Sequence, residues 1–361
     1  MKSLSKSINF RELGILYALL ILWAVLFIVS EQFRNWNTYN SILRQASFAG
    51  ICGVGMTLCI ASKHFDQSIG AMTALLGCTF TAMLQFFAEP VVTDPATGMQ
   101  SGGITWGGIL ASVLLVIALG IFCGLFNGML VARLRIPAFI ATLGALYVYR
   151  GMAYIVSDSS PVIINQVVTR EQNEFFTFLG MGNIAGIPLS FWIMAICTVA
   201  GTIILRRTKF GRDTLAIGNS VNASRISGIN VDFVKILIFV ILGGFVAIGS
   251  ILNTTFLASS NPGMVTGFEF TVITTVVLGG TALAGGKGSV FNTIVAAHFL
   301  VSLTVGMNAM GVSSYYQRIV QGVILLFAFS LNRIREIIED HRVKRNTRRA
   351  QQQATTGEQP A

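Results

Sequence analysis

Residues 106–132 read WGGILASVLLVIALGIFCGLFNGMLVA, a run without one charged side chain. A helix rises 1.5 Å per residue, so about 20 such residues cross a hydrocarbon core, and this run reads as a membrane span. Comparable apolar runs recur from Leu13 to Leu331 and account for the composition: 53% of the 361 residues are hydrophobic and only 11% charged. So few charges cannot cover a water-facing surface. Lipid is the solvent for most of the chain, and the fold class is all-α: a polytopic transmembrane helical bundle.

Ten candidate spans follow, at about Leu13–Val29, Ala46–Ser62, Ser68–Phe87, Trp106–Ala132, Ala138–Val156, Leu189–Leu205, Phe233–Phe256, Phe270–Ala284, Val290–Met310 and Tyr316–Leu331. Between the second and third, and again at Ala282–Ser289, only tight turns fit, which predicts broken or re-entrant helices. The first run follows Lys2, Lys6 and Arg11, as a signal peptide would, but it is too long for an h-region and lacks a small-x-small cleavage site. It reads as a retained span. Residues 1–332 form one membrane domain and 333–361 a basic tail. The five cysteines, Cys52, Cys59, Cys78, Cys123 and Cys197, lie in apolar runs and read as small packing residues.

The net charge of +10 orients the bundle. With the N-terminus in the cytoplasm, only Arg34, Arg44, Arg150, Arg170 and Arg318 of the 25 Lys and Arg residues fall outside. That asymmetry follows the positive-inside rule and makes both termini cytoplasmic. Without interleaved aromatic residues, the basic residues are not a nucleic-acid footprint.

Polar segments interrupt this pattern. The outward loops Glu89–Thr105 and Ser157–Pro188 are either contacts for an external partner or plain connections. Between spans two and three stands KHFDQSIG, residues 63–70, where an ionisable group at membrane depth costs about 3 kcal/mol to insert. Asp66 there is either a functional group or a cap for the next helix at Ser68. His64, His298 and His341 have no metal-site spacing.

The longest cytoplasmic connection, Arg206–Asp232, carries small and apolar residues at helical spacing from Asp213 to Ile226, with Gly228 as a stop. It reads as a short helix under the membrane, either interfacial or a docking element. Farther on, VVLGGTALAGGKGSVFN (276–292) fails as a phosphate loop, because Thr281 and Gly288 stand where that motif needs Gly and Ser/Thr. Its glycines Gly279, Gly280, Gly285 and Gly286 instead allow close helix approach or an unwound segment lining a cavity.

Five stretches together resemble the ribose, xylose, arabinose and galactoside permeases of bacterial ATP-binding-cassette importers. They are YNSILRQASFAGICGVGMTLCIASKHFDQSIGAMTALL (39–76), NGMLVARLRIPAFIATLGALYVYRGMAYI (127–155), KFGRDTLAIGNSVNASRISGINV (209–231), GFEFTVITTVVLGGTALAGGKGSVFNT (267–293) and GVSSYYQRIVQGVILLFAF (311–329). The resemblance implies a multi-pass protein of the bacterial inner membrane with no cofactor. Its implied partners are a second permease subunit, a cytoplasmic ATP-binding subunit that hydrolyses ATP in its place, and a periplasmic sugar-binding protein. It also implies that Asp66, Ser68 and Gly70 belong to the path or helix break, with Lys63 and His64 replacing two glycines of the family pattern. Gly218, Asn219, Ala223, Arg225 and Gly228 match its ATPase-contacting segment. The rival is an ion-coupled secondary transporter, which would need carboxylates in the bundle; Asp66 stands almost alone. No nucleophile–base pair or metal cluster marks an enzyme.

Overall fold

The computed structural model describes residues 14–93, 100–164, 168–330 and 334. Nearly all of the predicted tail 333–361 lies outside the described residues, as does Gly98 in the first outward loop. The chain folds as a helical bundle. Its helices are α1 (Gly14–Val29), α2 (Trp36–Ala61), α3 (Ile69–Phe86), α4 (Trp106–Ala132), α5 (Ala138–Val156), α6 (Arg170–Met181), α7 (Leu189–Arg207), α8 (Lys209–Asn219), α9 (Val221–Ile226), α10 (Val231–Leu257), α11 (Phe268–Leu278) and α12 (Val290–Ala309). A last helix, α13, covers 314–330. Seven of these, α2, α3, α4, α5, α7, α10 and α12, are long and apolar enough to cross a membrane.

All ten predicted spans find a helix; two of them, and the predicted cytoplasmic helix, differ in substance. Helix α2 begins at Trp36, ten residues before the expected Ala46. Asn37, Thr38, Asn40 and Ser41 hid its first turns, which the Asn35 side chain caps by accepting from the Asn37 amide at 3.0 Å. Helix α11 stops at Leu278, not Ala284, and is an 11-residue half-span. Gly280 there takes a left-handed φ of 86°, and the chain runs on without regular structure to Ser289. The helix expected over Asp213–Ile226 is two helices: Ser220 is extended (φ −157°, ψ 113°), ends α8 and caps α9.

Helix α2 forms the centre, buried without a break from Ala46 to Ala61. Small residues let its neighbours in. A Cβ on Gly50 would fall 2.7 Å from the Met194 sulfur of α7, one on Gly53 2.8 Å from Thr293 of α12, and one on Gly55 2.8 Å from the Leu242 backbone of α10. The same device joins α4 to α10. Gly120, Gly124 and Gly128, spaced by four, lie on the α4 face where Cβ atoms would strike the backbones of Gly243, Phe239 and Ile236.

Both loops read as possible plain connections hold structure. Strands β1 (Ala88–Thr93) and β2 (Gln100–Ile104) form an antiparallel hairpin. The other loop contains α6, begun by a capping box in which Thr169 and Gln172 satisfy each other's backbone amides. Gln172 also bonds the Ile104 carbonyl, and Phe176 packs edge-on to Phe80, tying hairpin and helix to α3.

Candidate functional site

The α2–α3 break turns because Lys63 adopts a left-handed φ of 65°, after which residues 64–68 run without helical structure. Asp66 is fully buried within it. Its Oδ1 accepts from the Ser68 amide at 2.7 Å and the Ser68 hydroxyl at 2.6 Å, while Oδ2 accepts from Asn127 Nδ2 of α4 at 3.0 Å. Asn127 in turn accepts the Tyr149 hydroxyl of α5 at 2.9 Å. The Gln67 amide donates to Thr142 Oγ1 of α5 at 3.0 Å. One carboxyl group thus ties the break to two further helices, and every buried polar atom named here has a partner.

His64 turns inward, its Nδ1 3.0 Å from Ser62 Oγ and its ring edge-on to Phe239. Gly70 stands where a Cβ would meet Glu269 Oε2 at 2.3 Å and the Val265 carbonyl at 2.9 Å. Glu269, in the first turn of α11, is a second buried carboxyl group that the sequence reading passed over; its Oε2 has no hydrogen-bond partner among the described residues. A readable signal existed, since an acidic residue in a first turn marks a helix start. Asn127 and Tyr149 had none: neither stands at a spacing that relates it to residue 66.

The structure joins two groups that are far apart in sequence. A Cβ on Gly218, near the end of α8, would lie 2.0 Å from the Ala61 carbonyl and 2.5 Å from the Gly286 amide. That amide donates to the Ala61 carbonyl at 2.8 Å. Gly285 and Gly286 take left-handed φ values of 78° and 75° and press on Gly218 and on the Asn219 side chain. Lys63 Nζ reaches the Asn219 carbonyl at 3.5 Å. Three backbones, the end of α2, the end of α8 and the glycine loop, therefore meet at Gly218 with no side chain between them there, and the Asn219 and Lys63 side chains flank the contact. Gly279 belongs to the other end of that loop, against Asn292 and Thr293 of α12. A Cβ on Gly280 would meet nothing within 4 Å among the described residues.

Ala223, Arg225 and Gly228 stand apart from this junction. Ala223 and Arg225 are exposed on α9, Arg225 pairing with Asp232 at 3.6 Å, and Gly228 makes the left-handed turn (φ 80°) into α10.

A many-span helical bundle whose central hairpin is broken by a buried, fully bonded polar cluster, with two short helices docked at one end, defines a membrane permease. The chain belongs to the family described as branched-chain amino acid transport system / permease component, which matches residues 38–329. Over 313 residues it is 37% identical to the ribose import permease protein RbsC of Escherichia coli (strain K12), covering 87% of this chain and 91% of that one. It is 34% identical over 334 residues to the L-arabinose transport system permease protein AraH of the same strain, covering 91% and 94%. With the RbsC of Bacillus subtilis (strain 168) the identity is 31% over 323 residues, covering 90% and 93%. No solved structure matches the chain. The expected family is thereby established: this is a multi-pass permease subunit of an ATP-binding-cassette transporter and not its ATPase.

Proposed function

We propose that the chain forms the translocation path for a sugar or sugar-like solute, as relatives named for ribose and arabinose import suggest. An external sugar-binding protein delivers the solute, a separate cytoplasmic subunit hydrolyses ATP, and a second permease subunit completes the membrane unit. The membrane domain 1–332 lies in the bacterial inner membrane, with both termini, α8 and α9 in the cytoplasm.

The observation that carries this reading is the junction at Gly218. Coupling needs a rigid element whose position differs between two states of the partner and biases a two-state membrane domain. Helices α8 and α9 expose Asn219, Ala223 and Arg225 at one end. Through Gly218 they bear on Ala61 and Gly286, a few residues from the Asp66 cluster. A displacement of α8 would move the end of α2 and the glycine loop together, because no flexible side chain separates them. Gly279, Gly280 and Gly70 then let α11 and α3 shift against α12 and α2.

The test is ATP hydrolysis by the reconstituted complex with and without loaded binding protein. Arg225→Glu is expected to weaken assembly with the ATPase severalfold. Asn219→Ala, at an exposed position, is expected to leave assembly intact and reduce the stimulation by binding protein. Normal stimulation in both variants would place the partner elsewhere.

A further inference from the structure

Beside the helix break lies a cavity of about 460 Å³, walled by the α2–α3 connection, the α4–α5 turn, α9 and the first turn of α10. Four of its lining residues are basic, Lys63, Arg135, Arg225 and Lys235, against one carboxylate, Asp232. Arg225 already occupies Asp232 at 3.6 Å. Arg135 and Lys235 have no ion-pair partner among the described residues, and Lys63 reaches only a backbone carbonyl. Lys235 is half-buried, and the carboxylate it feels, Asp232, is the one that already pairs with Arg225. Four cations thus face one carboxylate across the cavity, and an anion entering it would gain charge-assisted contacts.

Two of these cations sit at strained positions. Lys63 has φ 65° and Arg135 φ 55°, backbone that glycine adopts freely and other residues seldom do. Strain of this kind collects at ligand sites, where the surroundings hold the residue in place. Here two basic side chains are kept where glycine would fit better, and both line one cavity.

The rim differs from the floor. Leu134, Phe139 and Phe233, each next in sequence to a lining residue, are more than half exposed, as is Ile140. An acidic segment of a soluble partner would match the cations but leave this rim facing polar surface. A phospholipid matches both, and basic pockets between membrane helices are suited to anionic headgroups. We propose that the cavity binds the phosphate headgroup of one anionic phospholipid, with its acyl chains along the exposed apolar faces of α4 and α5. The proposal shares Arg225 with the coupling scheme but needs only that this end of the spans lies at a membrane surface, and its test therefore uses Arg135 and Lys235.

Native mass spectrometry of the detergent-purified chain, titrated with phosphatidylglycerol or phosphatidylcholine, tests it. One phosphatidylglycerol is expected to be retained in preference to phosphatidylcholine, and Arg135→Gln with Lys235→Gln should weaken that binding by roughly ten- to thirtyfold. The control pair Arg207→Gln and Lys209→Gln, basic residues at the same end but outside the cavity, should leave it unchanged. Lys63→Gly separates binding from folding: it removes the charge and relieves the strain, so phosphatidylglycerol binding should fall while the unfolding temperature without lipid does not. Equal losses in cavity and control pairs would reduce the effect to diffuse surface charge. Thermal protection by sn-glycerol 3-phosphate as strong as that by phosphatidylglycerol would make the ligand a free anion. Loss of ATPase-subunit binding in the cavity pair, with lipid binding intact, would assign the cavity to an acidic partner. Each of these three results overturns the proposal.

Discussion

Asp66 holds three donors with two oxygens, and removing it leaves the Ser68 amide buried without an acceptor and Asn127 Nδ2 with Ser68 Oγ, at 2.9 Å, in place of two acceptors. Each such loss costs about 1–3 kcal/mol, so Asp66→Ala is expected to lower stability by about 3 kcal/mol and to reduce uptake while the protein still inserts. Tyr149→Phe removes only the hydroxyl shared between Asn127 Oδ1 and the Cys123 carbonyl and should cost about 1 kcal/mol, with a smaller loss of uptake. Thermal unfolding in detergent and solute uptake into vesicles measure both. If Asp66→Ala unfolds and transports like the unaltered chain, the carboxyl group neither holds the break nor serves transport. Asp66 and Ser68 were legible in the sequence because a carboxylate in an apolar setting is conspicuous. Their partners were not, because an Asn and a Tyr in separate spans carry no spacing that relates them to residue 66.

At the scale of elements, the α4–α10 seam decides where Asn127 stands. Gly124 faces the Phe239 carbonyl so closely that a built Cβ falls 2.2 Å from it, and the obstacle is backbone that cannot rotate away. Gly124→Val is therefore expected to force the two helices apart and destabilise the bundle by about 1–3 kcal/mol. It should also draw Asn127 from Asp66 and lower uptake more than its stability cost alone explains. A disulfide cross-link between cysteines placed on α4 and α10 would report the separation; undiminished cross-linking rules it out. Apolar length located α4 and α10 within two residues of their true bounds, as α5 was located at both ends. The same signal misplaced the start of α2, whose first turns carry Asn37, Thr38, Asn40 and Ser41, and the end of α11, because Gly279 and Gly280 stop the helix inside a run that stays apolar. Helix α6 was missed although Thr169 and Gln172 spelled its capping box, for it is a polar helix with no long apolar run.

For the whole molecule, the distribution of basic residues predicts the orientation. Reporter tags at Met1 and Ala361 are expected to face the cytoplasm and one inserted at Gly98 the opposite side, all three in segments outside the described residues. Protease or dye accessibility in intact and permeabilised cells reads the outcome, and a cytoplasmic Gly98 would break the assignment. What the amino-acid sequence determined by itself was whatever depends on the solvent: membrane residence, the helical class and the approximate place of each span. These follow from transfer free energies that act on one segment at a time. Motif order and spacing also sufficed for the family. Only the tertiary structure decided which segments meet. It put Gly218 against Ala61 and Gly286, made α11 a half-span, and gathered Lys63, Arg135 and Lys235 around one cavity. Contacts between residues hundreds of positions apart depend on which small side chains let two backbones approach, and that is a property of pairs of helices that no single segment carries.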